Sequence, residues 1–135
     1  MSTASRAPRP VETLPAQTVR RLAGYEIDEL RRWAGEHGHR FVLAECSDCV
    51  DKHAVLATIG RAFAFPEWYG ANLDALYDCL TDLPDQGAPG WIVVLARLPG
   101  EPGFGADDRA ALLDVFRDAA EDFAQRAVGL RVFYS

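Results

Sequence analysis

The chain has 135 residues, 14 of them basic and 20 acidic, for a formal net charge of −6 at pH 7, and 49% of its residues are hydrophobic. That suffices for one domain with a real core, and the negative balance argues against non-specific nucleic-acid binding and for a basic partner. No apolar run approaches the roughly 18 residues of a membrane span, and three cysteines, an odd number, fit reduced thiols better than a disulfide scaffold.

Residues 1–18 are rich in Pro, Ala, Ser and Thr and read as a mobile tail. They lack the apolar core of a signal peptide, so the expected location is the cytoplasm, with no membrane contact. Residues 19–39 read as a helical extension: Ile27, Leu30 and Trp33 or Ala34 recur at helical spacing, Asp28 and Glu29 precede Arg31 and Arg32, and Gly35 and Gly38 end the run. Phe41 to Cys46 is a short apolar strand. Asp48 or Asp51 can cap the next helix, Lys52 to Phe63, which turns Val55, Leu56, Ile59 and Phe63 inward.

The segment Phe65 to Leu83 carries the most information. Between Ala62 and Ala96 the only charged residues are Glu67, Asp74, Asp78, Asp82 and Asp85. Pro66 and Gly70 break the preceding element, Asn72 is a good N-cap, and Asp74 lies in the first turn, where the helix dipole favours an anion. On a helical wheel Leu73, Leu76, Leu80 and Leu83 form a core stripe, while Asp74, Asp78 and Asp82 follow each other at i, i+4 on another face. Tyr77 and Thr81 sit between the two. Like charges at that spacing cost about 0.2–0.5 kcal/mol per pair. A solvated acidic face would explain the acids alone. Trp68, Tyr69 and Tyr77 around the same surface suit an interface with a basic partner instead.

Pro84 to Gly90 reads as a loop, and Trp91 to Ala96 as a strand buried on both faces. Leu98 to Ala106 is a loop. Asp107 to Arg126 is a long amphipathic helix with Leu112, Val115, Phe116, Ala119 and Phe123 toward the core, and Gly129 leads into the last strand. Strands separated by helices imply crossovers and a parallel sheet.

Two further groups could carry chemistry. Cys46-Ser47-Asp48-Cys49 is a C-x-x-C with His53 four residues on and His37 and His39 upstream. A metal or thiol-redox site would need these to converge. The bland reading is a buried Cys46, an incidental loop Cys49 and a buried Cys79. No phosphate loop, nucleophile elbow or zinc-helix motif is present, and the paired acids lack a nearby histidine, so the chain does not read as an enzyme.

Pro66 to Leu80, as Pro-x-x-Tyr-Gly-x-Asn-x-Asp-Ala-Leu-x-Asp-Cys-Leu, resembles the signature of the barstar family of ribonuclease inhibitors. The resemblance continues at Val115 to Asp118 and at Leu130 to Ser135, and covers about residues 40–135. It implies a small three-stranded parallel sheet packed with helices, with the N-terminal helix as an addition. It also implies an inhibitor of a small microbial ribonuclease; a toxin's nuclease, for which this chain would be the antitoxin or immunity protein, is one such target. That inhibitor needs no cofactor and makes no direct nucleic-acid contact. Trp68, Gly70, Asn72, Asp74, Tyr77, Asp78, Thr81 and Asp118 are the expected partner-binding residues. The family's best-known member has tryptophan where this chain has Tyr77 and Leu83, and a cis proline before its middle strand, where Pro84 and Pro89 are the candidates here. The alternatives are a metal or redox protein built on Cys46, Cys49 and His53, and an interaction adaptor that does not inhibit.

Overall fold

The computed structural model describes residues 9–135. Its centre is Gly90–Ala96, a strand in which every residue is buried. A strand without alternation cannot lie on a surface, so both of its faces need a covering layer. In chain order the elements are β1 (Gln17–Arg21), α1 (Ile27–Glu36), β2 (Arg40–Glu45), α2 (Lys52–Phe63), α3 (Leu73–Leu80), a 3-10 turn (Leu83–Gln86), β3 (Gly90–Ala96), α4 (Ala106–Gln125) and β4 (Gly129–Tyr134).

The sheet has four strands in the order β1-β4-β3-β2, all parallel, not the expected three. The fourth is β1, which pairs with β4 so that Val19 faces Val132. It lies where the sequence reads as tail and helical extension. Its residues, Gln17-Thr18-Val19-Arg20-Arg21, lack the apolar run that marked β2 and β3 because they are only partly covered at the sheet edge. Of the expected tail, residues 1–8 lie outside the described residues, whereas Val11 and Leu14 are buried in the core.

The period-2 alternation of the strands sorts side chains into two layers. On one face Val42, Ala44, Val93, Leu95, Leu130 and Val132 pack with Leu56, Leu76, Leu80, Phe116 and Phe123 of α2, α3 and α4. On the other, Ile92, Val94, Ala96 and Phe133 pack with Val11, Leu14, Tyr25, Leu30 and Ala34. Tyr25 links the parts of this second layer: its ring lies 5.2 Å from that of Phe133, and its hydroxyl donates to the Arg9 carbonyl at 2.6 Å. The helix starts are chemically marked. Asp51 accepts from the Ala54 N–H and Asn72 from the Ala75 N–H, both at 2.8 Å. Among the described residues the cis peptide bond is Glu101-Pro102, not a bond at Pro84 or Pro89.

If α1 is part of the core, Leu30→Ala should destabilise the protein by about 2–5 kcal/mol, because Leu30 is fully buried in the layer that covers Ile92 and Val94 of β3. Urea unfolding measures this, and a loss under about 1 kcal/mol would mean that α1 is a loose attachment.

Candidate functional site

The loop before α3 is built to aim and start that helix. Tyr69 is turned inward rather than displayed with Trp68. Its hydroxyl donates to the Leu56 carbonyl at 2.8 Å, and its ring lies where a side chain on Gly60 would have to be. Burial pushes its phenol up to about 12, with the nearby Cys79 adding to the effect. Gly70 leaves room for the cap, since a Cβ there would lie 2.9 Å from the Asn72 side-chain nitrogen. Ala71 has φ +51°, a left-handed conformation that turns the chain into Asn72. Pinned in this way, the loop leaves Trp68 60% exposed.

α3 buries Leu76, Cys79 and Leu80 and presents Asp74, Tyr77 and Asp78 outward. Burial raises the Cys79 thiol pKa, and Asp82 and Asp78 nearby add to it, so this thiol is a small buried hydrophobe. The helix is shorter than the wheel implies. Thr81 ends it, its hydroxyl donating back to the carbonyls of Tyr77 at 3.0 Å and Asp78 at 3.2 Å. Asp82 therefore leaves the acidic stripe, while Leu83 stays buried by way of the 3-10 turn.

α3 packs against α4, and between them runs an open groove of about 790 Å³. Leu73, Asp74, Tyr77 and Asp78 line one wall; Val115, Asp118, Glu121, Asp122 and Gln125 line the other. The fold thus brings Asp118, some 40 residues downstream in sequence, to the same groove as Asp74, Tyr77 and Asp78. Trp68, Gly70, Asn72 and Thr81 are not part of that lining; Gly70 and Asn72 instead shape the cap of α3. Glu121, Asp122 and Gln125 were not expected there. Their signal was the spacing 118, 121, 122, 125, which is one face of α4. Val115, expected in the core, is half-buried because it forms the groove floor.

The groove is electrostatically one-sided. Five carboxylates line it and no basic residue does. Among the described residues Asp74, Asp78, Asp118 and Glu121 form no ion pair. Asp122 alone is paired, with Arg126 at 2.7 Å, and Arg126 also reaches Asp85 at 3.3 Å. Such a surface attracts cations and disfavours nucleic acid.

The cysteine–histidine group does not assemble. Cys46 and Cys49 are buried free thiols, and Cys49 contacts the Thr58 hydroxyl at 3.3 Å. Burial first, then neighbouring Cys49, pushes the Cys46 thiol up to about 12, the opposite of a reactive thiolate. His37 and His39 instead pack on Trp33, with ring centroids 4.1 and 4.9 Å away. Among the described residues no group of three or more His, Cys, Asp and Glu is placed to hold a metal ion.

Residues 39–135 match the family model described as Barstar (barnase inhibitor), a span that includes α3, α4 and the whole groove.

Two outcomes test this description. Asn72→Ala should destabilise the protein by about 1 kcal/mol in urea unfolding, and Asn72→Asp, which can still cap, should retain most of that. With a thiol reagent at slightly alkaline pH, Cys46 should stay unreactive in the native protein and react once it is unfolded; prompt native reaction would restore the redox reading.

Proposed function

The chain belongs to the barstar family of barnase-like ribonuclease inhibitors, and we propose that it inhibits a small microbial ribonuclease by filling the enzyme's cationic cleft with the α3–α4 acidic groove. The observation that carries this reading is the convergence of Asp74, Asp78 and Asp118 on one groove with no cation among its lining residues. A ribonuclease must bind a phosphodiester and stabilise added negative charge in the transition state, so its active site concentrates positive groups. Carboxylates on a rigid helix can take the place of the phosphates.

In this mechanism Asp78 is the central anion, midway along the exposed face of α3. Asp74 supports it from one turn earlier, and Asp118 grips the enzyme from the facing wall. Trp68 and Tyr77, 60% and 37% exposed, supply aromatic area that binding would bury. Thr81, its hydroxyl hydrogen already directed to α3, offers its oxygen as an acceptor at the edge. Gly70 and Asn72 act indirectly by holding the loop that presents Trp68. The rigidity of the cap and of the Tyr69 anchor limits the ordering entropy lost on binding. With Tyr77 exposed and Leu83 buried, the aromatic pattern differs from that of the family's best-known member and answers a different enzyme surface, for which a toxin's nuclease domain is our candidate.

Calorimetric titration into small guanyl-specific ribonucleases and toxin nuclease domains tests the reading. Asp78→Ala should weaken a tight complex by at least about 2 kcal/mol, and Asp82→Ala by under about 1 kcal/mol, because Asp82 lies off the groove. No binding by the wild type across such a panel would remove the inhibitor reading. For a complex that does form, the association rate should fall at least ~10-fold between low and high salt. A salt-independent rate would refute electrostatic steering.

A further inference from the structure

At the amino-terminal rim of the sheet lies a second cavity, of about 330 Å³, which shares no residue with the acidic groove. Ala16 and Gln17 at the start of β1, His39 before β2, Pro89 before β3, and Val128, Gly129 and Arg131 at the start of β4 contribute to it. Among the described residues Arg131 is the one charged residue that is buried, at 8% exposure. Its strand position faces the α1 layer, where its guanidinium lies 5.2 Å from the Trp33 ring. One Nη donates to the Leu14 carbonyl at 3.2 Å, and Nε is buried with no partner.

That arrangement leaves a largely buried positive charge without a counter-charge. Among the described residues Arg131 forms no ion pair, the cavity lining contains no Asp or Glu, and residues 1–8 contain none either. An unpaired buried cation is strongly disfavoured unless something answers it. A π-face and one carbonyl offset part of the penalty, but they leave the Nε donor without an acceptor. Two other polar side chains line the same cavity. Gln17 is fixed by its amide donating to the Val128 carbonyl at 2.7 Å, which leaves a second N–H on that nitrogen. His39 Nδ1 lies 3.0 Å from the His37 carbonyl and so carries the hydrogen, while its Nε2 edge packs against Gly90, so this ring lines the cavity without offering an anion a donor.

We propose that this cavity binds a small oxyanion, a phosphate or carboxylate group, held chiefly by Arg131 with the spare N–H of Gln17 beside it. Arg131 presents a planar, permanently charged group that suits either ligand, and an oxyanion in the cavity supplies the missing counter-charge. Because the ligand would tie β4 to the Leu14 segment and to α1, it would stabilise the N-terminal layer by linkage. The proposal does not depend on the inhibitor reading.

The test is a titration of the full chain, labelled with nitrogen-15 and held near neutral pH, with sodium phosphate, sodium acetate and, at matched ionic strength, sodium chloride. The expected result is a saturable shift of the Arg131 Nε–Hε resonance and of the Val128 and Gly129 amides with phosphate, acetate or both, but not with chloride. Saturation by only one of the two salts identifies which oxyanion the cavity takes. Arg131→Gln should abolish the shift at those amides. If that variant does not fold, Gln17→Ala should weaken the binding several-fold while Arg131 still reports. The proposal is overturned if neither oxyanion gives a saturable shift, or if chloride gives the same one.

Discussion

The constraint on which this structure rests is the double-sided burial of β3. Its seven residues, Gly90 to Ala96, have no face turned to water, and its partner β4 is buried almost to its end. A parallel pair of that kind is stable only between two layers. α2, α3 and α4 supply one. The other comes from the N-terminal segment, in which Leu30 and Ala34 of α1, together with Val11, Leu14 and Tyr25, close over Ile92, Val94 and Phe133. The segment that reads as an appendage is therefore half of the covering that the central strand requires. Removing it would expose a contiguous apolar face and the β4 edge that β1 now pairs.

The same packing accounts for the groove. α3 has only eight residues and carries its acids at i, i+4, so little in its own sequence favours a helix standing alone. It exists because Leu76 and Leu80 are fully buried beneath it and because Asn72 and the inward-turned Tyr69 fix its start. Apolar burial of this kind contributes on the order of 1.5–3 kcal/mol per side chain, several times the repulsion between neighbouring carboxylates. The fold can therefore hold an unfavourable charge pattern on its surface, and α4 increases it from the facing wall.

Much of this was legible in the residues. The limits of α2 follow from Asp51 and the Val55, Leu56, Ile59 spacing, and the buried centre from the unbroken run Trp91 to Ala96. The acidic stripe was visible because a short stretch of sequence contains no basic residue. Four features were hidden. β1 is an edge strand whose polar sequence matches its partial exposure, so periodicity could not mark it. α3 ends at Leu80, where the chain tightens into the 3-10 turn and Pro84 has no N–H to return to the Leu80 carbonyl, a change of geometry that a wheel diagram does not contain. The α4 wall of the groove depends on a tertiary contact: Asp118, Glu121 and Asp122 look like any solvated helix face until α3 lies beside them. Arg131 was the least legible of all, since an arginine inside an apolar strand gives no sign of whether it reaches water.

The two cavities express opposite electrostatics within one small sheet. The acidic groove keeps its charges in water, where high dielectric makes the repulsion among neighbouring carboxylates tolerable and leaves their long-range field available to a basic partner. Arg131 has its charge under α1, where the field is weakly screened and an unanswered cation is far more strongly penalised. The first site can wait for its partner at little expense to stability; the second cannot remain unanswered without weakening the layer that β3 depends on. Exposure therefore separates a surface that recognises a macromolecule from a pocket that a small ion would complete.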